Sequence, residues 1–335
     1  MDNSVQTLNY SLYALEELKE FQEAVTRTWP EGTKSLACVR TMLQKSVKFI
    51  LPNNADLIDI RKLSDSHFDM LRLPFPIVAL EIPWIAEDGR MITEGALKES
   101  PSMKRIVLAW DEQFAEHCGF DVPREPGVSA VSIYHDANVN RWLVAAVGAF
   151  IPRDNEITRI QHPDESGNAA ERLVAEQLFT GGWAKPGAPT HGVEYFLVLP
   201  EMFAQMSEQI GATNTAARAQ LDIRDELRAL WEFCLTVNCV NVRQETVEST
   251  ALNKKRIKNG KLPFFSYRVL QLNFDGGSGP GRKNALVGDR VGPRQHLRRG
   301  HPRRLVSGQV TYVRGTVVGN PGRGHLDKSY DLRRP

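Results

Sequence analysis

Residues 292–304 read Gly-Pro-Arg-Gln-His-Leu-Arg-Arg-Gly-His-Pro-Arg-Arg, which is five arginines and two histidines in thirteen positions with no acid among them. Like charges this dense repel one another, so the run favours a folded chain only with an anion opposite it. A guanidinium presents a planar fork of N–H donors that matches phosphate oxygens, and a lysine presents a point charge. Arg294, Arg298, Arg299, Arg303 and Arg304 lie beside glycines and a proline, which favour a loop. A loop between strands can turn several guanidinium groups toward one phosphate backbone. Lys254, Lys255, Arg256, Lys258 and Lys261 extend the track upstream, and Arg314 extends it downstream. Phe264, Phe265, Tyr267 and Tyr312 are interleaved and offer ring faces on which bases stack. The expected function is binding of nucleic acid, DNA or RNA, through its phosphate backbone. A sharper alternative makes His296 and His301 the general base and acid of a metal-independent nuclease, with the arginines stabilising charge on phosphorus. Their spacing does not fix both rings around one phosphorus.

Other candidates are weaker. The stretch Gly276-Gly-Ser-Gly-Pro-Gly-Arg-Lys283 has no Gly-Lys-Ser/Thr and is interrupted by Pro280, so it reads as a surface loop rather than a phosphate loop. It also lacks the glycine order of a dinucleotide site. Acids are plentiful in Glu81, Glu87, Glu94, Asp111, Glu112, Asp136, Asp164, Glu165 and Glu171. A metal nuclease needs two or three of them to converge. Glu81, at a strand end, is the best single candidate, against a structural or surface role; His135-Asp136 in a hairpin turn ranks with it. Cys38, Cys118, Cys234 and Cys239 are scattered without a Cys-x-x-Cys pair, which argues against a zinc site or a disulfide framework and for reduced, buried thiols. No metal and no cofactor is expected.

Charge divides sharply along the chain. Residues 251–335 hold 19 Lys and Arg against 4 Asp and Glu, a net of +15, while residues 1–250 hold 23 against 36, a net of −13. Such a split points to an anionic partner for the basic part; the alternative is that the acidic body neutralises it, within one molecule or between copies. A phage structural or assembly protein built on that pairing, and hence a homo-oligomer, is the second functional reading. The start Met-Asp-Asn-Ser-Val-Gln has no signal-peptide character, and the longest apolar run, residues 142–151, is too short to span a bilayer. A cytoplasmic protein without a membrane partner is expected.

Periodicity then supplies the elements that would hold these residues. Apolar positions at three- and four-residue steps predict helices over 11–29, from Leu36 to Ile50, over 168–179 and over 216–237. Strands are expected at 77–82, 106–110, 130–134, 142–150, 195–199, 264–274 and 310–318, with 130–150 forming a hairpin. Residues 253–261 read as a basic linker or turn. The resulting class is α+β: a helical N-terminal region, a mixed central sheet with a long helix, and a small basic C-terminal β unit. The boundaries follow the charge: an acidic α+β body at 1–242, a basic linker at 243–262 and a basic β-rich unit at 263–335.

The C-terminal third also carries a resemblance. Its residues are Leu235-Thr-Val-Asn-Cys-Val-Asn-Val242, Asn253-Lys-Lys-Arg-Ile-Lys-Asn-Gly-Lys-Leu-Pro263, Tyr267-Arg-Val-Leu-Gln-Leu272, His296-Leu-Arg-Arg-Gly-His-Pro-Arg-Arg-Leu305, Tyr312-Val-Arg314 and Lys328-Ser-Tyr-Asp-Leu332. This pattern, with Leu73-Pro-Phe-Pro76 upstream, resembles a group of uncharacterised bacteriophage and prophage proteins. The resemblance implies a phage origin and a bacterial host cell. It implies no activity and no site residues.

Overall fold

The computed structural model describes residues 7–58, 65–85, 97, 102–115, 119–165, 168–182, 184–248, 250–272, 294–298, 301–313, 316–318 and 320–325. In chain order they form α1 (Tyr10–Val25), α2 (Pro30–Lys45), β1 (Val47–Ile50), β2 (Ile77–Pro83), β3 (Lys104–Asp111), α3 (Glu112–Ala115), β4 (Gly127–Asp136), β5 (Arg141–Pro152) and β6 (Ile157–Arg159). There follow α4 (Ala169–Thr180), β7 (Pro189–His191), β8 (Glu194–Leu197), α5 (Pro200–Ile210), α6 (Ala212–Val237), β9 (Val242–Val247), α7 (Thr250–Lys258) and β10 (Tyr267–Leu272). The last elements are β11 (Arg294–Arg298), β12 (His301–Arg304), β13 (Val310–Val313), β14 (Thr316–Val318) and β15 (Asn320–His325).

An eight-stranded mixed sheet in the order β8-β5-β4-β3-β2-β1-β10-β9 organises this α+β fold. Strand β1 runs parallel to both β2 and β10, and the other neighbours are antiparallel. Helices cover both faces, so central strands read as unbroken apolar runs rather than alternating ones. In β2, Ile77 and Ala79 face Leu18, Leu36 and Leu43 of the α1–α2 pair. Val78, Leu80 and Ile82 face Ile223, Leu230 and Phe233 of α6 instead. Helix α6, 26 residues long and therefore about 39 Å, lies across β3, β4 and β5. Where β5 meets β8, only glycine fits: a Cβ on Gly148 would sit 2.3 Å from the ring of Phe196.

Two charged side chains interrupt the apolar α1–α2 face. Glu81 is fully buried and accepts hydrogen bonds from the backbone N–H of Tyr10 (3.0 Å) and Ser11 (2.8 Å) and from the Tyr267 hydroxyl (3.0 Å). It thereby takes the place of a side-chain N-cap on α1, since Asn9 makes no capping bond. Lys48, 2% exposed, donates to the carbonyls of Leu43 (2.7 Å), Gln44 (3.0 Å) and Ser46 (2.7 Å) where α2 ends. An acid at one helix N-terminus and a cation at the next helix C-terminus match both dipoles.

Several expectations are corrected. The second helix stops at Lys45: Ser46 turns extended, and Val47–Ile50 is β1, held between β2 and β10. Residues 253–261 are not a linker but the end of α7 and its cap. Gly260, at φ 66°, closes the helix with bonds from Gly260 N–H to Ile257 O and from Lys261 N–H to Arg256 O. The stretch 310–318 is two strands, β13 and β14, in different small sheets. Strands β9 and β10 complete the eight-stranded sheet, so the sheet runs across the boundary placed at residue 242.

Candidate nucleic-acid interface

Among the described residues past 242, the lysines of α7 and the basic residues of the β12–β13 hairpin stand at opposite ends of the β9–β10 edge. Helix α7 links the end of β9 to the start of β10, so it stands beside Val247 and Tyr267. The β12–β13 hairpin stands at the other end, where Val240 N–H donates to Val310 O (3.0 Å) just before β9 begins. Six residues of strand separate them, or about 20 Å at the usual rise.

On α7, Lys254, Lys255 and Lys258 are exposed, as is Lys261 just beyond it. No carboxylate among the described residues pairs with any of the four. Arg256 does a different job. Its Nε donates to Leu262 O (2.7 Å) and its guanidinium lies 4.3 Å from the centre of the Phe264 ring. Asn253 completes the clamp, donating to Phe264 O (2.9 Å) and accepting from Phe264 N–H (2.6 Å). Asn253 and Arg256 therefore hold the turn, and the lysines are left facing water.

The run expected as a loop is strand: Arg294, His296 and Arg298 lie on β11, in a separate small sheet, and His301, Arg303 and Arg304 on β12 at the far end of the β9–β10 edge. Arg299 and Arg314 lie outside the described residues. Arg304 is engaged with Asp69 (2.9 Å) and Gly308 O (3.1 Å), while Arg303 is exposed. His301 is half-buried. Strands β11 and β12 belong to different sheets, so the two histidines are not neighbours on one ladder. Tyr312 anchors the hairpin: its hydroxyl donates to Leu57 O (2.5 Å), and its backbone exchanges two bonds with Asn241.

The aromatic residues divide similarly. Tyr267 is 0% exposed and spent on Glu81, so it offers no ring face. Phe265 lies beneath the Lys48 ammonium (3.9 Å), and Phe264 beneath Arg256.

Glu87 and Glu94 lie outside the described residues. Glu81 is the structural partner of α1, Glu112 pairs in a fork with Arg153 (2.9 and 3.0 Å), and Asp136 caps the β4–β5 turn through Asn138 N–H. Among the described residues no three His, Cys, Asp or Glu side chains gather closely enough to hold a metal ion. Cys38, Cys234 and Cys239 are free thiols, and burial pushes Cys239 up to about 12. The glycine stretch 276–283 lies outside the described residues.

Sequence reading missed one further constellation: Arg105 on β3, Ser132 and Tyr134 on β4, and Arg218, Asp222, Asp225 and Glu226 on α6. The α6 residues recur at three- and four-residue steps, the only sequence signal that one helix face gathers them. Comparison with protein-family models, curated proteins and solved structures found no match.

Proposed function

We propose that this chain binds nucleic acid through the phosphate backbone, using the lysines of α7 and its turn as the first contact and Arg303 as a second. The observation that carries this reading is the set Lys254, Lys255, Lys258 and Lys261, exposed and without a carboxylate partner among the described residues. Lysine suits sequence-independent phosphate contact because its charge needs no fixed geometry. Charge of this kind draws a polyanion from solution and releases its counterions on binding. The resemblance of the C-terminal third to bacteriophage and prophage proteins supports a phage origin and action inside a bacterial host. No helix among the described residues is long and apolar enough to cross a membrane.

Fluorescence anisotropy with labelled 20-nucleotide single- and double-stranded DNA and RNA, at low and moderate salt, tests the proposal. Binding that weakens steeply with salt supports it. No binding at low salt refutes it, and an oligomer that dissociates in salt yet ignores nucleic acid would favour the assembly reading.

A further inference from the structure

Helix α7 and its turn present two kinds of side chain to water. The inward face of the helix is fixed by Asn253 and Arg256, which hold Phe264 and the Leu262 carbonyl. Residues 254, 257 and 258 are one turn apart and therefore neighbours on the helix surface. Lys254 and Lys258 are exposed there, and Ile257 beside them is 61% exposed. The cap at Gly260 then reverses the chain: Gly260 N–H donates to Ile257 O and Lys261 N–H to Arg256 O. That reversal, with the Arg256 bond to Leu262 O, brings Leu262 back beside the last turn, 49% exposed and next to Lys261. Two aliphatic side chains thus stand in water among lysines that have no carboxylate partner among the described residues. The β12–β13 hairpin repeats the combination, with Leu305 and Val306 exposed at its turn near Arg303.

Lysines alone suit any phosphate polymer. The aliphatic groups narrow the choice. A duplex stacks its bases inside and turns phosphates and sugars outward, so Ile257 and Leu262 would meet mainly polar surface. An anionic bilayer would attract the lysines, but α7 has nine residues and Ile257 is the one exposed aliphatic side chain described on it, far short of the apolar face by which a helix lies in a membrane surface. A strand with unpaired bases offers both chemistries: regularly spaced phosphates, and base faces free to lie against apolar side chains. Resting on the phosphate-binding reading above, we propose that the α7 turn is a site for single-stranded nucleic acid. Lys254, Lys258 and Lys261 hold its phosphates, and Ile257 and Leu262 carry its unpaired bases. The contact covers base faces without touching base edges, so it does not select a sequence.

Fluorescence anisotropy of the full chain at one low salt concentration tests this with three 20-nucleotide probes: oligo-dT, an abasic strand with the same phosphates, and a duplex. Oligo-dT is expected to bind about ten-fold tighter than the abasic strand, from aliphatic surface buried against bases. The double variant Ile257→Ser, Leu262→Ser should bring oligo-dT down to the affinity of the abasic strand and lower its affinity relative to the duplex by the same factor. Equal binding of oligo-dT and the abasic strand by the unmodified chain would overturn the proposal and leave the phosphate-binding reading standing. No binding of any probe would remove both. Binding to vesicles of anionic phospholipid that oligo-dT does not displace would assign the patch to a bilayer and overturn it as well. The oligo-dT and abasic comparison needs no variant, so it decides even if the double substitution disturbs the turn.

Discussion

Lys48→Met should change the pH dependence of stability more tellingly than stability itself. Burial pushes the Lys48 ammonium down to about 7, against the pull of Glu81 on the same sheet face. In the unfolded chain the amine keeps its ordinary pKa of about 10.5. Between those values the unfolded chain holds more protons than the folded one, so stability rises with pH across the window. The slope for one proton is at most about 1.4 kcal/mol per pH unit, which limits the whole rise to about 4–5 kcal/mol. Methionine keeps most of the stem and removes both the titration and the three bonds to Leu43, Gln44 and Ser46 carbonyls. Each lost bond removes about 1 kcal/mol. Urea unfolding followed through the buried Trp110 and Trp231, at pH 7, 8 and 9, gives stability curves for both chains. The other titrating groups are common to both chains, so the difference between the curves reports Lys48 together with its coupling to Glu81. The gap between wild type and variant should widen with pH. Parallel curves would refute the claim that this amine is held in a dry site.

Three other outcomes follow from the same structure. Glu81→Leu should destabilise by about 3–9 kcal/mol, enough to unfold most domains of this kind, because it orphans two backbone N–H groups and the Tyr267 hydroxyl at once. Glu81→Gln, which keeps one accepting oxygen, should lose less than half as much in the same urea assay. Replacing Lys254, Lys255 and Lys258 together by alanine should cut the slope of log affinity against log salt by about 2–3 for duplex DNA, with unchanged circular dichroism; an unchanged slope would remove α7 from the interface. A chain ending at residue 242 should be insoluble, because it strips β10 from β1, takes Tyr267 from Glu81 and leaves β1 as an unpaired edge. A soluble, cooperatively unfolding 1–242 fragment would show that the sheet does not need its last two strands.

Long elements with strong periodicity were legible. Helix α6 and the β4–β5 hairpin are where the spacing predicts them, extended at their ends. The misses share a cause: in short segments, neighbours distant in sequence decide the state. Residues Val47 and Ile50 continue the apolar step of α2, and only pairing with β2 and β10 makes them strand. Helix α5 was overlooked, although Pro200 opens it and Met202, Phe203, Met206 and Ile210 recur at helical steps; no residue of it is fully buried, so its apolar signal is diluted. Helix α7 has a polar, basic sequence with little apolar contrast, and its identity comes from the Gly260 cap and the Asn253–Phe264 clamp. Glu81 was weighed as a metal-nuclease acid against a structural or surface role; the structural role it has depends on α1 arriving from 70 residues away.

The charge division visible in the sequence survives folding in altered form. It suggested an acidic body with a basic appendage, whose arginines would be the free charge. Folding instead builds β9 and β10, joined through α7, into the sheet of the acidic body and fastens the β12–β13 hairpin to it through Tyr312, Val310 and the Arg304–Asp69 pair. Among the arginines described there, Arg256 rests on a carbonyl and a ring, Arg268 on Gln244 and Phe75, and Arg304 on an acid. Planar forks find partners in a folded surface more readily than point charges do. Among the described residues past 242, Lys254, Lys255, Lys258 and Lys261, on one short helix and its turn, and Arg303 on β12 are exposed without a carboxylate partner. Exposed lysines of this kind are suited to gripping a phosphate chain without reading its sequence, and this is why the salt slope, rather than base preference, is the measurement that separates binding from mere net charge.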